Sequence, residues 1–471
     1  MDNKQATLEL GTKPVGELLV QYALPAIVAM IASSLYNIVD RIFIGRCVDS
    51  LALAGLGITF PFMNLSAAFG AAIGVGTATH ISVRLGQRDY RTAEEIFGNS
   101  ISLNIIIGIL FATLSLIFLD PILLFFGASE QTLPYAREYM QIILYGNVFT
   151  HLYFGMNAVL RAASKPFHAM GATIFTVLFN AILDLIFIYI LDLGIRSAAF
   201  ATILSQITAL IWQCWQFSNK KDIIHFERGI YKLRTSHVGN IISIGLSPFL
   251  MHVCSCLIVV LLNRSLAYYG SKLAINHGGD LAIGAYSIVH SISFLFLMIV
   301  FGLNQGMQPI AGYNYGAQRY DRLMQVLKYA IITATFITIV GFFISEAQTD
   351  ICKIFTTDPT FLAIAVHGLK VANIAFPIIG YQIVVTNFFQ SIGKAKVSIF
   401  LSLSRQLIFL IPLIYTLPIW LQETGVWISF PISDVFSIIA SAFCIIRLFR
   451  RFDRLADGDD PAVLGGAAAS V

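Results

Sequence analysis

Charged residues are scarce in this chain. Asp, Glu, Lys and Arg make up 12% of its 471 residues, whereas hydrophobic residues make up 57%. A soluble globular protein has roughly twice this share of charge. The hydrophobic residues also lie in runs of roughly 20 or more, the length that a helix needs to cross a hydrocarbon core about 30 Å thick. The composition therefore excludes an ordinary soluble fold and predicts a protein that crosses a membrane many times.

Paired cysteines, a cleavable signal peptide and a strong excess of basic charge are missing as well. The six cysteines lie singly or in apolar runs, so we expect neither a disulfide framework nor a cysteine metal site. The N-terminus is polar, and the first apolar run is longer than a signal-peptide core. The net charge of +4 is small and the basic residues are dispersed among loops, so we expect no nucleic-acid partner.

The apolar runs predict helices rather than a barrel. Barrel strands alternate between apolar and polar residues over about ten positions, whereas runs such as ISLNIIIGILFATLSLIFL are continuous. The predicted fold is an all-α integral membrane protein with twelve transmembrane helices. Breaks at Gly, Pro and charged residues place the twelve spans near residues 15–45, 52–80, 94–118, 133–160, 168–190, 195–217, 239–266, 280–305, 323–345, 361–390, 396–418 and 425–447.

The distribution of basic residues predicts the orientation. An even number of spans puts both termini on one side of the membrane. The termini and the loops of that side carry 21 of the 30 Lys and Arg residues, against 7 on the other side. By the positive-inside rule, both termini then lie in the cytoplasm. The small and polar tail, residues 451–471, is expected to be disordered.

The second half of the sequence repeats the first. Pro25 and Pro248 are 223 positions apart, and Gly86 and Gly316 are 230 positions apart. Because six spans per half preserve the orientation, we expect two six-helix bundles related by a pseudo-twofold axis along the membrane normal. The predicted domains are a cytoplasmic N-terminus over 1–14, a first lobe over 15–218, a cytoplasmic linker over 219–238, a second lobe over 239–450 and the tail.

Polar side chains inside the first-half spans lie at one depth. Such groups cost about 2.5–3.5 kcal/mol on insertion scales and therefore indicate function. At a rise of about 1.5 Å per residue, Asp40 in the first span lies roughly 9 Å below the outer surface, and Asp184 in the fifth about 12 Å below it. Ala198 and Thr202 in the sixth span lie roughly 6–12 Å deep. Asn180 is one helical turn from Asp184, on the same face.

The chemistry of these groups leaves three readings open. Carboxylate, amide and hydroxyl oxygens suit a hard cation such as Na⁺. Two carboxylates close together in a low dielectric would instead carry a proton. A structural reading pairs Asp40 with Arg41 or Arg46 and treats the other groups as helix-packing contacts, but Arg41 points about 100° away on a helix. The candidate Na⁺ site consists of Asp40, Asn180, Asp184 and Thr202.

The second half lacks matching carboxylates but has buried charges of its own. Asn263 stands where the first half has Asp40. Lys370 and Asp434 lie roughly 14 Å from the outer surface, and Arg405 is about as far from the cytoplasmic surface. Together they form either a neutralised structural network near the midplane or a charged wall of a cleft that tunes substrate choice.

The first span carries a proline ten residues from its start. Pro25 removes a backbone hydrogen bond, so we expect a kink there. The kink is either a hinge that moves the helix carrying Asp40 or a static bend. Gly74, Gly76, Gly302 and Gly306 predict close approaches between helices.

Several strings of the sequence resemble one transporter family. They are LYNIVDRIFIGR, LALAGLGITFPF, RLGQRDYRTAEEIFGNS and NAILDLIFI in the first half, and GLNQGMQPIAGYNYGAQRYDR in the second. On these strings the chain, over about residues 15 to 450, is similar to the multidrug and toxic compound extrusion (MATE) family and to its bacterial DinF-like and MepA-like members. The resemblance implies secondary active export of small amphipathic or cationic drugs by alternating access, in antiport with H⁺ or Na⁺.

The resemblance also implies roles for single residues. Acidic residues that one branch carries in the second half are missing here, since the tenth span has Lys370 instead. This places ion coupling in the first lobe and leaves the coupling ion open. The family's ion-coupling positions fall on Asp40, Asn180, Asp184, Ala198 and Thr202. Its positions lining the first-half cavity fall on Tyr36, Tyr139 and Asn157.

Other functions fit the sequence less well. The alternative within the same superfamily is a lipid-linked oligosaccharide flippase, which often has more spans and an arginine-lined cleft. An enzyme or receptor would need a catalytic constellation or a sizeable extramembrane domain, and the sequence shows neither. We therefore expect no enzyme activity and no cofactor besides the coupling ion. We expect a monomer in membrane lipid, in the bacterial cytoplasmic (inner) membrane.

Overall fold

The computed structural model contains only helices, joined by turns and loops, in the part of the chain that it describes. The backbone is described over residues 3–47, 50–190, 194–272, 278–353 and 358–456. Within these ranges, the side chains that lie outside the description are those of residues 3–4, 36–47, 50–54, 188–189, 280 and 451–456. These described ranges contain no strand, which confirms the all-α prediction.

Nine helices precede the central linker. They are α1 (Asn3–Thr12), α2 (Val15–Cys47), α3 (Ser50–Gly86), α4 (Tyr90–Ile117), α5 (Leu119–Phe125), α6 (Leu133–Tyr145), α7 (Asn147–Ala162), α8 (Pro166–Tyr189) and α9 (Arg196–Phe217). Eight follow the linker: α10 (Thr235–Gly270), α11 (Gly278–Gly316), α12 (Tyr320–Ser345), α13 (Gln348–Lys353), α14 (Pro359–Ala372), α15 (Phe376–Ser391), α16 (Ala395–Leu403) and α17 (Ile411–Ala456). A π-helix, Ser404–Leu410, joins α16 to α17.

Ten stretches within the described ranges are long and apolar enough to cross a membrane. The remaining two predicted spans are explained by breaks. The fourth span is divided at Gly146 into α6 and α7. The eleventh and twelfth spans lie in one stretch, Ala395–Arg450, that bends sharply at Gln422, where φ is 53° and ψ is −133°. A Cβ on Gly425 would lie 2.7 Å from the carbonyl carbon of Leu417, so the chain folds back tightly at this bend.

The sequence repeat is visible in the local backbone. Arg88 and Gln318, 230 positions apart, both have a left-handed φ, of 61° and 57°. Ser164 and Gly393 are 229 positions apart and have φ values of 63° and 74°. Each ends a helix, and the amide of the next residue donates to a carbonyl five positions back, as in a Schellman cap. The four hydrogen bonds are Asp89 N to Arg84 O, Arg319 N to Asn314 O, Lys165 N to Leu160 O and Lys394 N to Phe389 O, at 2.9–3.0 Å.

The chain forms two compact units whose boundary differs from that of the repeat. The first unit is Met1–Phe249 together with Gln305–Arg322, and the second is Leu250–Asn304 together with Leu323–Val471. The first unit therefore includes the start of α10, the end of α11 and the start of α12. The helix α17 continues to Ala456, beyond the predicted start of the tail at 451, and residues 457–471 lie outside the described residues.

Glycines set the closest helix contacts of the first unit. A Cβ on Gly86 of α3 would lie 2.0 Å from the carbonyl oxygen of Tyr313 in α11. A Cβ on Gly316 of α11 would lie 2.0 Å from the carbonyl oxygen of Val83 in α3. The two helices therefore cross with their backbones in contact, which only residues without a side chain allow.

Two of the glycines predicted from sequence make similar crossings. A Cβ on Gly76 would lie 2.1 Å from the carbonyl oxygen of Ile241 in α10. A Cβ on Gly306 would lie 2.5 Å from the Cα atom of Ala23 in α2. Any larger residue would push these helices apart, which confirms the prediction of close approaches at both positions.

Candidate functional site

One face of α8 is polar and buried, and the other is apolar and exposed. Asn180 and Asp184, one turn apart, are each 1% exposed. Leu178 and Ile182 on the opposite face are 59% and 53% exposed. In a helix that crosses a membrane, exposed apolar side chains face lipid, and polar groups face the interior of the bundle. The helix therefore directs its amide and carboxylate into the protein.

Helix α9 lies against the polar face of α8. Gly194, with a φ of 58° that favours glycine, leads into α9. Its first turn is lined by small buried residues, Ser197, Ala198 and Ala199, which allow a close helix contact. The contact brings Asn180 to Thr202: the amide nitrogen Nδ2 donates to the hydroxyl Oγ1 at 3.3 Å. The structure thus joins Thr202 to the residue one helical turn from Asp184, the carboxylate that the depth calculation placed at the level of Thr202.

Several side-chain oxygen atoms are buried where α8 meets α9. Both carboxylate oxygens of Asp184 are enclosed, and Asn180 Oδ1 is enclosed without a hydrogen-bond partner among the described residues. An unmet acceptor in an apolar setting costs about 1–3 kcal/mol, and a buried carboxylate costs more unless a proton or a cation neutralises it. The arrangement therefore suits a small cationic guest, either a proton or a hard metal cation.

Asp40 and Tyr36 have side chains outside the described residues. Their backbone belongs to α2, which is helical over Val15–Cys47, so the two residues are one turn apart on one helix face. Helix α2 packs along α8. The element that carries Asp40 is therefore the neighbour of the element that carries Asn180 and Asp184.

Ala198 and Tyr139 belong to an apolar cluster. Both are at most 1% exposed, and they pack with Phe62, Met140 and Ile203. Ala198 contributes packing here, one turn before Thr202. Tyr139 is enclosed in this structure, so its role as a cavity residue stays a prediction.

Asn157 takes part in a hydrogen-bond network near the predicted cytoplasmic end of α7. Its amide nitrogen donates to the carbonyl oxygen of Ala169 at 3.0 Å and to Thr173 Oγ1 at 3.3 Å. Its amide oxygen accepts a hydrogen bond from Arg161. These contacts tie α7 to α8. The position is 7% exposed, and its role in lining a cavity also stays a prediction.

Pro25 is buried within α2, which remains helical on both sides of it. Two residues before Pro25, at Ala23, the backbone of α2 contacts α11 at Gly306. The hinge role of Pro25 stays a prediction.

The second unit pairs two of the three charges that the sequence placed inside its spans. Arg405 Nε donates to Asp434 Oδ1 at 2.7 Å. Lys370 is exposed, and no hydrogen bond or ion pair joins it to either residue in the described part of the chain. The three-member network predicted from sequence is therefore an ion pair with a separate lysine.

Sequence reasoning missed the contacts of α1. Leu10 and Thr7 are buried, and the C-terminal carbonyls of α1 are held by side chains more than 300 positions away. Asn314 Nδ2 donates to the carbonyl oxygen of Leu10 at 3.0 Å. Arg319 donates to the carbonyl oxygen of Gly11, and Arg322 Nη2 donates to that of Leu10 at 3.3 Å. The segment NKQATLELGT has too few apolar residues for a helical pattern, so only the two arginines that follow α11, Arg319 and Arg322, hinted at a partner.

Comparison with known proteins gives one consistent result. The MatE family model matches residues 25–186 and 256–416, the two halves of the repeat. The multidrug export protein MepA of Staphylococcus haemolyticus is 27% identical over 434 residues, which cover 92% of this chain and 94% of that protein. MepA of Staphylococcus aureus is 27% identical over 443 residues, with 94% and 95% covered.

Solved structures show the same architecture. The structure of the MATE multidrug transporter DinF-BH superposes with a TM-score of 0.83, at 33% identity, over 93% of this chain and 96% of that one. An outward-facing multidrug resistance MATE family transporter of the MOP superfamily gives a TM-score of 0.86 at 24% identity, over 95% and 98%. The fold extends over nearly the whole chain in both comparisons.

Proposed function

Because the chain belongs to the MatE family of membrane transporters, we propose that it exports amphipathic or cationic drugs in exchange for H⁺ or Na⁺. The family model matches both halves of the repeat, and relatives of nearly equal length are multidrug export proteins. The proposed location is the bacterial cytoplasmic membrane, with both termini in the cytoplasm. The excess of basic residues in the loops of that side supports this orientation.

The observation that carries the proposal is the buried oxygen cluster on α8 and α9. Asn180 is hydrogen-bonded to Thr202 at 3.3 Å, and its own oxygen is an unmet acceptor among the described residues. Asp184 lies one turn away and is 1% exposed. Burial raises the cost of a charged carboxylate at this position, so we expect loading and release of a cation to change the energy of the whole site.

This dependence supplies a physical basis for coupling. With a cation at Asp184, the site is close to neutral and can remain closed to water. Without it, the bare carboxylate favours hydration, which favours a conformation that opens the site. Asp40 on the neighbouring helix α2 is the second proposed carboxylate, and Pro25 is the proposed point at which α2 bends. A single coupling free energy then links ion binding to the movement of α2.

Both ions remain candidates for distinct reasons. Na⁺ would use several oxygens at once, and the carboxylate, amide and hydroxyl of Asp184, Asn180 and Thr202 are the types of ligand that hard cations take. A proton needs a single carboxylate, and the protonated acid could donate to the unmet oxygen of Asn180. The identity of the coupling ion is therefore the first property to determine.

The test is drug uptake or release by the purified full chain in proteoliposomes under separately imposed Na⁺ and H⁺ gradients. We expect one gradient to drive transport of a cationic rhodamine dye and Asp184→Asn to reduce the driven rate more than about tenfold, which corresponds to about 1.4 kcal/mol of lost coupling. The matched control is Glu130→Gln, an exposed carboxylate, which should retain the wild-type rate.

The outcome that contradicts the proposal is equally direct. Full gradient-driven transport by Asp184→Asn at normal protein levels would remove this residue from the coupling site. Transport of lipid-linked oligosaccharide without transport of the cationic dye would favour the flippase alternative.

A further inference from the structure

The Arg405–Asp434 pair lies deep in the second unit. Arg405 is ten residues after the start of α16, and Asp434 is twelve residues after the bend at Gln422, which places them roughly 15 and 18 Å from opposite ends of their helices. Since the hydrocarbon core is about 30 Å thick, both are near its middle. Arg405 also belongs to the π-helix Ser404–Leu410, a conformation that is rare and frequent at functional sites.

The pair is one-sided. Arg405 uses only Nε, at 2.7 Å from Asp434 Oδ1, whereas a guanidinium that serves a structural carboxylate is frequently bidentate. Its two terminal nitrogens have no acceptor among the described residues and are absent from the enclosed polar atoms. The arginine side chain is 24% exposed and the aspartate 6%. The carboxylate therefore holds one edge of the guanidinium while the other edge remains open.

The open edge must face water or a guest. Exposed guanidinium nitrogens in hydrocarbon are costly, and intramembrane arginines almost always face a bundle interior or a water-filled cavity. The aspartate removes the net charge of the pair but leaves four N–H donors unused. Such a group is ready to bind an anion or a strong acceptor at little further desolvation cost.

Two further features surround the pair on α17. Ser437, one turn after Asp434 and on the same face, has a buried hydroxyl without a partner among the described residues. Phe430, one turn before Asp434, stacks on Tyr286 with ring centroids 6.2 Å apart and planes 16° apart. An unmet hydroxyl and the partly exposed ring of Phe430 thus lie one turn to either side of Asp434, which suits a guest with a ring and an anionic substituent.

We propose that Arg405 binds a carboxylate, or a similarly strong acceptor, on the substrate, with Asp434 as the positioning residue that orients the guanidinium. The proposal rests on the export function proposed above, and it assigns to Arg405 the recognition of substrates that carry a carboxylate. The terminal nitrogens supply two parallel hydrogen bonds to the substrate carboxylate. Phe430, which stacks on the buried Tyr286, supplies the apolar contact for its ring system.

The test uses two dyes that differ only in the group of interest, rhodamine B and its ethyl ester. Both carry the same cationic ring system, but only rhodamine B has a free carboxylate. Binding to the purified full chain is followed by fluorescence, and export is followed in proteoliposomes. We expect Arg405→Gln to weaken rhodamine B binding about tenfold or more and to change binding of the ester less than about twofold. Arg264→Gln, an exposed arginine of the same unit, serves as the matched control and should leave both dyes unchanged.

Asp434 provides a readout that a purely structural ion pair would not give. Asp434→Asn leaves the arginine charge uncompensated, so rhodamine B should bind at least as tightly as to the wild type, opposite to the effect of Arg405→Gln. Because a lone buried charge can impair folding, the double variant Arg405→Gln/Asp434→Asn keeps the site neutral. It should be stable and should discriminate against rhodamine B as the single Arg405→Gln variant does.

The results separate the two proposals. Equal losses for both dyes in Arg405→Gln and in the double variant, or weaker rhodamine B binding in Asp434→Asn, would overturn the carboxylate site. Failure of the wild type to export the ester would instead overturn the export function itself. Export of the ester with rhodamine B binding that does not depend on Arg405 would leave the function standing and remove the inference.

Discussion

At the scale of single residues, the candidate ion site depends on one hydroxyl. Thr202 accepts the hydrogen bond that fixes the Asn180 amide at 3.3 Å, so it orients the amide oxygen that lacks a partner among the described residues. Depth arithmetic on the sequence brought the two residues to within about one helical turn of each other in depth. The rotation of α8 and α9 about their axes, which the arithmetic does not contain, decided that they touch.

Replacement of Thr202 tests this role. Thr202→Val keeps the shape but removes the hydroxyl, which leaves the Asn180 amide without its acceptor at a cost of about 1–3 kcal/mol. We expect the concentration of driving ion that gives half-maximal export to rise about tenfold. Thr202→Ser retains the hydroxyl and should stay near the wild type. Equal values for the Val and Ser variants would show that the hydroxyl does not act on the ion site.

At the scale of helices, close crossings at glycines determine how the elements pack. The α3–α11 contact is reciprocal: each helix brings a glycine, Gly86 or Gly316, against a carbonyl of the other at 2.0 Å from the position of an added Cβ. The repeat pairs these two glycines at an offset of 230 positions, so the sequence indicated that they occupy equivalent positions in the two halves. It did not indicate that they face each other, because a repeat offset relates residues by descent and not by contact.

Alanine at these glycines should separate the two helices. Gly86→Ala and Gly316→Ala both force a methyl group into a backbone carbonyl, and we expect each to lower the unfolding free energy by about 2 kcal/mol or more. The matched control is Gly239→Ala, since nothing lies within 4 Å of its added Cβ, and alanine in a helix is favourable by up to about 1 kcal/mol. Thermal unfolding of the purified variants measures the difference. Unchanged stability in both α3 and α11 variants would mean that the helices are not in contact.

At the scale of the whole molecule, the unit boundary departs from the repeat boundary. The first unit takes in Gln305–Arg322 from the second half of the sequence. Part of the reason is α1, whose end carbonyls are bonded by Asn314, Arg319 and Arg322. The last four carbonyls of any helix lack partners within the helix, and here two basic side chains and an amide supply partners for two of them, those of Leu10 and Gly11. The N-terminus is thereby tied to the second half of the chain.

Loss of one arginine should loosen this tie. Arg322→Met keeps most of the apolar stem but removes donors to the carbonyl oxygens of Leu10 and Lys13. We expect faster amide hydrogen exchange over residues 3–13, by about tenfold for a loss of about 1.4 kcal/mol. Arg91→Met, whose side chain is 90% exposed, should leave the exchange of this segment unchanged. Equal exchange in both variants would show that Arg322 does not hold α1.

Much of this protein follows from the sequence alone. Hydropathy determines the all-α fold and the twelve spans, because hydrocarbon admits only segments that satisfy their own backbone hydrogen bonds. The offsets of 223 and 230 residues reveal the repeat, and the cost of polar groups in lipid by itself singles out Asn180, Asp184 and Asp434. These are properties of local composition, and they need no knowledge of which helices are neighbours.

The tertiary structure decided which of these residues meet. It joined Asn180 to Thr202 and paired Arg405 with Asp434 while leaving Lys370 apart. It also enclosed Tyr139 in an apolar cluster and docked α1 against α11. Depth along a helix is readable from residue number, whereas the rotation of a helix and the choice of its neighbour come from the packing of whole faces. That packing is the sum of contacts across long separations, which no single stretch of sequence contains.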